Sequence, residues 1–378
     1  MEQFYKNRNY PFIIAIWFVI LLSTSCKKDD PVADPNQATI DRLKLAADSV
    51  IKNTTIPGLV ALVVDHQKGI NWLYAAGVSN TLTKAPMDVN HTFRIASNTK
   101  TFTGTLLLQL VDEGKIRLND KLSEYFPQYP KSDSITIKML CNMSSGINAY
   151  ETDEWMNAVK ANPLRVWAPG ELADFAFSQP FLFSPGTGYQ YINSNTIILG
   201  MIIEQVTGNT LESEITNRII NPLQLTNTAF HTSGTDLPGN HGRGYDFEEF
   251  GVTGDVTESY DLSMMWAAGS VHSTPRELQA YVEALVKGRF LSDTLQQRRL
   301  NDMNTTSTIS KYGLCLARLT SFYGHNGEVW GYTSSMWHSP KHDCTIIIYY
   351  NCDRISIYNP DNLAGKFLII LYGSIDNA

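Results

Sequence analysis

The sequence has no surplus of positive charge and few cysteines. Its 378 residues contain 30 lysines and arginines against 37 aspartates and glutamates, which gives a formal net charge of −7. No basic stripe is present, so binding to nucleic acid is not indicated. The five cysteines include no Cys-x-x-Cys pair. Buried free thiols are the simplest interpretation of the four cysteines after residue 26, although a disulfide among them stays open. These four are Cys141, Cys315, Cys344 and Cys352.

The N-terminal hydrophobic run is too short to span a bilayer. The segment PFIIAIWFVILL at 11–22 has 12 residues, whereas a membrane-spanning helix needs about 20. With Lys6 and Arg8 before it and small residues after it, the segment is typical of a signal peptide at 1–25. Cys26 follows directly, which predicts a bacterial lipoprotein that is cleaved before Cys26 and acylated on its sulfur. An ordinary secretory signal is the alternative, because the nearest leucine lies four residues before the cysteine rather than three.

Either interpretation places the protein outside the cytoplasm. The lipoprotein interpretation adds attachment to a bacterial membrane through a lipid on Cys26, on the periplasmic side or at the cell surface. Residues 26–39 are polar, contain prolines and show no hydrophobic pattern, so they predict a flexible tether. The rest of the chain, 40–378, has about 340 residues and could form one large domain or two ordinary domains.

Hydrophobic periodicity predicts strands near both ends of this domain and helices between them. Two strands around the turn DHQKG form a predicted hairpin, and three later strands form a predicted antiparallel meander. The predicted strands lie in 56–78, 312–323, 328–339 and 344–351, and the predicted helices include 38–54, 97–112, 135–143, 195–208, 210–220, 273–288 and 365–375. The sequence therefore predicts an α+β fold in which helices flank an antiparallel sheet. The sheet part would comprise about 40–115 and 265–378, with a mostly helical domain inserted at about 116–264.

Ser97 and Lys100 form the first candidate site. Two other Ser-x-x-Lys matches are discarded, because 25–28 falls at the predicted cleavage site and 49–52 ends a helix with nothing catalytic nearby. At a helix N-terminus, backbone N–H groups and the helix dipole would stabilise an alkoxide on Ser97. Lys100 lies one turn away on the same face and could accept the serine proton if burial lowers its pKa. The alternative is a helix-capping serine beside a surface lysine.

Two further motifs supply candidate partners for this pair. A Tyr-x-Asn motif at Tyr191 and Asn193 comes immediately before a predicted helix, where a phenol could relay protons and an amide could bind a substrate amide. A His-x-Gly motif at His325 and Gly327 opens a predicted strand, and its glycine would let a substrate backbone approach the strand edge. The structural alternatives are a buried tyrosine with a capping asparagine, and an exposed histidine with a loop glycine.

Together, these segments resemble the class C β-lactamase and D-alanyl-D-alanine carboxypeptidase family of serine hydrolases. The order Ser-x-x-Lys, Tyr-x-Asn and Lys/His-x-Gly is similar to that family. So are the segments FRIASNTKTFTGTLLLQLVDEGKIRLND, FSPGT, WAAGSVHSTPRELQAYVEALVKGR and GHNGEVWGY. The similarity covers about 40–375, and the middle Tyr-x-Asn element is closer to class C than to the Ser-Asp-Asn of class A.

The resemblance implies a role for each matching residue. Ser97 would be the acylated nucleophile. Lys100 and Tyr191 would share the general base and general acid work, and which of them takes the first proton stays open. Asn193 would hold the substrate amide. No metal or organic cofactor is implied.

The resemblance also assigns substrate contacts to the His-x-Gly strand. His325 would take the place often held by lysine, near the leaving group or the substrate carboxylate, and backbone N–H groups of Ser97 and Glu328 would form the oxyanion hole. Asn326, before Gly327, stands where threonine is frequent in penicillin-recognising members. Glu328 places an acidic residue beside the expected oxyanion site, where it could repel a substrate carboxylate.

We therefore predict a lipid-anchored serine hydrolase that acts on a small peptide, amide or ester through an acyl-enzyme on Ser97. The first candidate is a D-Ala-D-Ala-type carboxypeptidase of cell-wall peptides. The alternatives are an esterase or D-amino-acid amidase on the same scaffold, then a β-lactamase, then a non-catalytic penicillin-binding-like protein. The sequence leaves the oligomeric state open.

Overall fold

The computed structural model describes residues 35–246, 254–353, 359–375 and 377–378. The predicted signal peptide, Cys26 and most of the predicted tether lie outside these residues. The first described helix begins at Gln37, so the last residues of the predicted tether belong to that helix. Within the described residues, no helix has the length and apolar character that a membrane crossing requires.

Helices make up much of the described chain. They are α1 (Gln37–Asn53), α2 (Thr99–Asp112), α3 (Ile137–Cys141), α4 (Asp153–Ala161), α5 (Pro169–Ser178), α6 (Asn193–Thr207), α7 (Leu211–Ile215), α8 (Asn221–Leu223), α9 (Trp266–Gly269), α10 (Pro275–Val286), α11 (Asp293–Asn301) and α12 (Pro360–Tyr372). Local sequence signals set several of their ends. The Thr274 side chain caps α10 by accepting a hydrogen bond from the Glu277 N–H, and Pro275 occupies the first turn. Gly208 ends α6 in the left-handed conformation, at φ 71°.

The strands of the main sheet come from both ends of the sequence, as predicted. In chain order, the strands are β1 (Gly58–Asp65), β2 (Ile70–Gly77), β3 (Phe93–Arg94), β4 (Ala229–Phe230), β5 (Tyr245–Asp246), β6 (Gly254–Asp255), β7 (Val271–Ser273), β8 (Met303–Thr305), β9 (Ser310–Gly313), β10 (Leu316–Leu319), β11 (Phe322–Val329), β12 (Tyr332–Ser339) and β13 (Cys344–Tyr350). The short β4, β5 and β6 lie in the segment predicted to be mostly helical. The main sheet has eight strands in the order β2-β1-β13-β12-β11-β10-β9-β8. Every neighbouring pair in it is antiparallel, so the predicted α+β fold with an antiparallel sheet is confirmed.

Helices cover both faces of this sheet. Alternate residues of β1 enter two different hydrophobic clusters: Val60 and Leu62 pack on the side of α2, whereas Leu59 and Ala61 pack on the side of α1 and α12. A strand that is buried on both faces needs apolar residues at every position, and β1 has an almost continuous apolar run for this reason. The sheet is therefore the middle layer between two helical layers.

The strand prediction for the C-terminal part is wrong in number, because the three predicted strands correspond to five in the structure. Segment 312–323 reverses direction twice, at Cys315 and Thr320, and both residues have a φ of 53°. Segment 328–339 reverses at Gly331, whose φ is 84°. Turns are usually recognised in a sequence by residues such as glycine, asparagine or proline. Two of these three reversals instead place a cysteine or a threonine in the left-handed region, so the sequence gives no sign of them.

The helical stretch between 116 and 264 packs against the same core as α2. Ile197 and Ile202 of α6 belong to one hydrophobic cluster with Leu107 of α2 and with Tyr349 of β13. Residues Asn36–Ala378 form a single unit by their contacts. The start of α2 therefore lies where the sheet, through β11 and β12, meets the helical stretch.

Candidate active site

A short turn before α2 presents Ser97. Residues Ala96–Asn98 form a single 3₁₀ turn, in which Ala96 has a φ of 49°. A left-handed alanine is strained, and strain of this kind is concentrated at functional sites. The amide Nδ2 of Asn98 holds the turn closed by donating to the Ile95 carbonyl at 3.0 Å and to Ser334 Oγ of β12 at 2.8 Å. These bonds tie the turn that carries Ser97 to the sheet.

Lys100 lies against the Ser97 hydroxyl, as the motif predicts. Its Nζ donates to Ser97 Oγ at 2.8 Å and to the Ala268 carbonyl at 3.1 Å. The side chain has no exposed surface, and burial lowers its pKa to about 7, an effect that the negative charge of Glu151 opposes. The alternative of a surface lysine is excluded. A buried amine with this pKa exists partly in its neutral form near pH 7, and the neutral form can accept a proton.

Tyr191 completes the group that the sequence predicts to act together. Its ring centroid lies 5.0 Å from Lys100 Nζ. Its buried hydroxyl makes no hydrogen bond of normal geometry to any described residue. Burial raises the pKa of the phenol well above its usual value, while the nearby Ser97 hydroxyl lowers it. Tyr191 is therefore a neutral phenol whose hydroxyl faces the nucleophile without a firm partner.

Asn193 is in the site, but its amide has a partner that the sequence did not reveal. Its Nδ2 donates to Glu151 Oε1 at 2.5 Å, whereas its Oδ1 is buried without a described partner. Burial raises the pKa of the Glu151 carboxyl, and the Asn193 hydrogen bond opposes that shift. Glu151 lies between a turn and α4, outside every motif considered. Asp153 and Glu154 follow it closely, so its acidic type does not distinguish it in the sequence.

β11 brings the His-x-Gly motif beside the nucleophile turn. A Cβ on Gly327 would lie 2.3 Å from the Ile95 carbonyl oxygen and 3.0 Å from Ala96 Cβ, so only glycine permits this approach. His325 is 2% exposed, and its ring centroid lies 5.7 Å from that of Tyr191. Burial, with a contribution from the Lys100 charge, lowers its pKa to about 3. The alternative of an exposed histidine is excluded, and His325 is neutral at physiological pH.

Two further residues of this strand, Asn326 and Glu328, were also predicted to belong to the site. Asn326 donates its amide to Asp361 Oδ2 at 2.7 Å, on α12, so its side chain is directed away from His325 and is not brought into the site. Glu328 is exposed and pairs in register with Thr333 of β12. A role of the Glu328 N–H in an oxyanion hole stays a prediction.

Sequence reasoning also missed Tyr312. Its Oη lies 3.3 Å from His325 Nε2, and its ring packs edge-on against Tyr191 at 5.7 Å. Tyr312 lies in the segment where the strand prediction is wrong, so no motif indicated it. Its ring packs edge-on against both the Tyr191 and the His325 rings.

Taken together, the site contains a serine hydroxyl, a partly neutral amine and a neutral phenol within one enclosed region. This arrangement can transfer the serine proton to an amine and then to a leaving group, which is the chemistry of acyl transfer. No cluster of metal-ligating side chains occurs in the part of the chain that the structure describes.

Comparisons with known proteins agree with this chemistry. The family model described as Beta-lactamase matches residues 44–363. A D-stereospecific amidohydrolase from Streptomyces sp. has a TM-score of 0.77 and 27% identity, over 89% of this chain and 98% of that chain. A D-amino acid amidase from Ochrobactrum anthropi SV3, solved with L-phenylalanine amide, has a TM-score of 0.78 and 25% identity, over 89% of this chain and 99% of that chain.

A curated relative matches over less of its own length. PbpX of Bacillus subtilis (strain 168) is 26% identical over 288 residues, which are 75% of this chain and 62% of that protein. The chain therefore spans less than two thirds of that relative.

Proposed function

The chain belongs to the beta-lactamase family of serine hydrolases, and from this premise we propose that it hydrolyses an amide bond through an acyl-enzyme on Ser97. The observation that carries the proposal is the contact of Lys100 Nζ with Ser97 Oγ at 2.8 Å, combined with a lysine pKa of about 7. A lysine that is neutral near pH 7 can act as a general base.

The steps of the proposed reaction follow from these groups. Neutral Lys100 accepts the proton of Ser97 as Oγ attacks the substrate carbonyl, and backbone N–H groups near the start of α2 stabilise the oxyanion. The protonated amine returns a proton, through the Tyr191 phenol, to the leaving nitrogen as the C–N bond breaks. Water then attacks the acyl-enzyme, with proton transfer to the same groups, and releases the acid product.

The substrate we propose is a D-amino-acid amide or a short peptide that begins with a D-residue. Carboxypeptidase action on D-Ala-D-Ala ends requires a positive group for the terminal carboxylate, and the resemblance assigns that place to His325. Because burial holds the pKa of His325 at about 3, this ring cannot supply the charge. Glu151 and Glu328 add negative charge near the site, which disfavours a carboxylate further. The two amidases described above, both compared over nearly their whole length, support the same substrate class.

The carboxypeptidase prediction is the direct rival, and one pair of substrates separates the two. We expect the purified protein to release ammonia from D-alanine amide, with L-alanine amide slower, and to release little D-alanine from an acylated D-Ala-D-Ala peptide. The Ser97→Ala variant should hydrolyse neither the amide nor the peptide. Faster hydrolysis of the acylated peptide would establish the carboxypeptidase, and hydrolysis of simple esters alone would establish the esterase alternative.

A charge variant sharpens this test. His325→Lys places an ionisable amine where family members often have lysine. If the missing charge determines substrate choice, the ratio of peptide to amide hydrolysis should increase in this variant. A ratio that does not change would remove the electrostatic argument for the amidase.

A further inference from the structure

A cavity of about 290 Å³ beside the reactive groups is unusually rich in carboxyl groups. Glu151, Glu328 and Asp353 line it, together with two tryptophans and three methionines. No lysine, arginine or histidine is among the described residues that line it. Its volume is close to the lower end of small-molecule sites, which begin at about 300 Å³. The cavity is therefore anionic and apolar at once.

Two of the residues that line the cavity adjoin the proposed site of acylation. Glu151 lines it and also accepts the Asn193 hydrogen bond. Glu328 lines it and directly follows Gly327, the residue that packs on the turn before α2. The cavity therefore lies next to residues that contact the candidate site, where the side chain of a substrate could reach it.

The buried carboxylate of Asp353 indicates that the cavity binds a ligand. The residue is 1% exposed, and its Oδ2 accepts a hydrogen bond from the Gly331 N–H at 2.8 Å. Its Oδ1 is buried and has no partner among the described residues. Burial, together with the charges of Asp246 and Glu328, raises the pKa of Asp353 to about 7. A buried carboxylate without a partner is unfavourable, and a cation placed beside it would relieve both the missing hydrogen bond and the repulsion.

The remaining walls fit the apolar part of such a ligand. Trp155 and Trp330 offer aromatic surface, which attracts ammonium groups and packs against methylene chains. Met264 and Met265 lie at the same cavity, and flexible thioether side chains adapt to an unbranched chain. A short carboxylate or a branched acidic group would meet only like charge.

We propose that this cavity binds a primary ammonium group at the end of an unbranched aliphatic chain, the side chain of a lysine-like substrate residue, with Asp353 and Glu328 as the counter-charges. This inference rests on the proposed amide hydrolysis and adds the class of side chain that is preferred. An aromatic side chain that uses only the tryptophan surface is the competing occupant.

The test compares D-lysine amide with D-norleucine amide, which has nearly the same length but no charge. For the wild-type protein, kcat/KM for D-lysine amide should exceed that for D-norleucine amide by about tenfold or more. Asp353→Asn and Glu328→Gln should each decrease this ratio toward one. Because Glu328 is exposed, Glu328→Gln stays informative if the buried Asp353 variant fails to fold. Glu154→Gln is the matched control, since Glu154 is an exposed carboxylate on α4 outside the cavity, and its ratio should equal that of the wild type.

The outcomes separate this inference from the proposed function. Equal hydrolysis of both amides, faster hydrolysis of D-phenylalanine amide, or a ratio that survives both variants would overturn the cavity assignment and leave amide hydrolysis standing. If no amide is hydrolysed, the proposed function fails, and binding of n-hexylamine against 1-hexanol by calorimetry decides the cavity assignment. The cavity assignment is supported if the protein binds the amine more tightly than the alcohol and Glu328→Gln weakens this preference. It is overturned if the protein shows no preference.

Discussion

Lys100 Nζ donates to Ser97 Oγ at 2.8 Å from a position with no exposed surface. Ser97 lies in the 3₁₀ turn immediately before α2 and Lys100 in the first turn of α2. The same Nζ also contacts the Ala268 carbonyl at 3.1 Å. Neither contact supplies a negative charge. Burial without a close counter-ion is what lowers the lysine pKa, and the proposed proton transfer from Ser97 depends on that shift.

Lys100→Met should separate activity from stability. We expect kcat/KM to decrease by about 10³-fold or more, because the proposed base is lost. The free energy of unfolding at pH 7 should increase by about 1–3 kcal/mol, because a buried ionisable group is replaced by an apolar side chain of similar length. Denaturant unfolding and steady-state kinetics measure the two quantities. If Lys100→Met decreased both the free energy of unfolding and the activity, Lys100 would have a structural role and its effect on activity would be indirect.

The rate of acylation should depend on pH through the Lys100 amine. The unfolded lysine has a pKa near 10.5 and the folded one a pKa of about 7. Below pH 7 the amine is protonated, so kcat/KM should decrease about tenfold per pH unit, and above pH 7 it should level off. Between pH 7 and 10.5 the unfolded chain binds more protons at Lys100 than the folded protein does. The contribution of Lys100 to the free energy of unfolding therefore becomes more favourable as pH increases through this range.

Tyr191→Phe distinguishes the two candidate bases. If Lys100 is the base, this variant should be slower but should keep the rise near pH 7, because the phenol pKa lies far above that range. If the pH at the midpoint of this rise moves by more than about one unit in Tyr191→Phe, the rise reports a coupled pair of groups that includes the phenol.

Gly327→Ala tests the close contact between β11 and the nucleophile turn. The new Cβ would lie 2.3 Å from the Ile95 carbonyl oxygen, which is backbone and cannot rotate away. We expect a loss of about 1–3 kcal/mol in the free energy of unfolding, with lower activity. Gly170→Ala on α5 is the matched control, because nothing lies within 4 Å of its Cβ position. Equal stability of the two variants would show that β11 and the nucleophile turn are not in close contact at Gly327.

The Ser97, Lys100 and Tyr191 group was predictable from the sequence, whereas its charged surroundings were not. A helix places residues i and i+3 together, so Ser97 and Lys100 had to be close once α2 was recognised. Glu151 reaches the site through the packing of the helical stretch, which no local pattern encodes. The orientation of Asn326 depends on Asp361, thirty-five positions later, and could not be read from a three-residue motif.

The same reasoning explains the outcome for the fold. β1 and β2 are joined by a short turn, and their periodicity predicts them well. The order of the sheet depends on β1 pairing with β13, a contact between Leu59 and Tyr350 that is non-local in sequence. The extra reversals at Cys315 and Thr320 were missed because neither residue type signals a turn.

Lipid attachment at Cys26 is a separate proposal with its own test. We expect the wild-type protein to fractionate with membranes and to incorporate labelled fatty acid. Cys26→Ser should abolish both without changing kcat/KM of the purified protein, because Cys26 precedes the helix that begins the described domain. Unlabelled wild-type protein would support the ordinary secretory signal instead.

The most direct test of the central claim is the intact mass of the protein after treatment with a fluorophosphonate probe. We predict a single covalent adduct on the wild-type protein, located on the peptide that contains Ser97, and no adduct on a folded Ser97→Ala variant. An adduct that persists in Ser97→Ala, or a wild-type protein that is never labelled between pH 7 and 9, would contradict the assignment of Ser97 as an activated nucleophile.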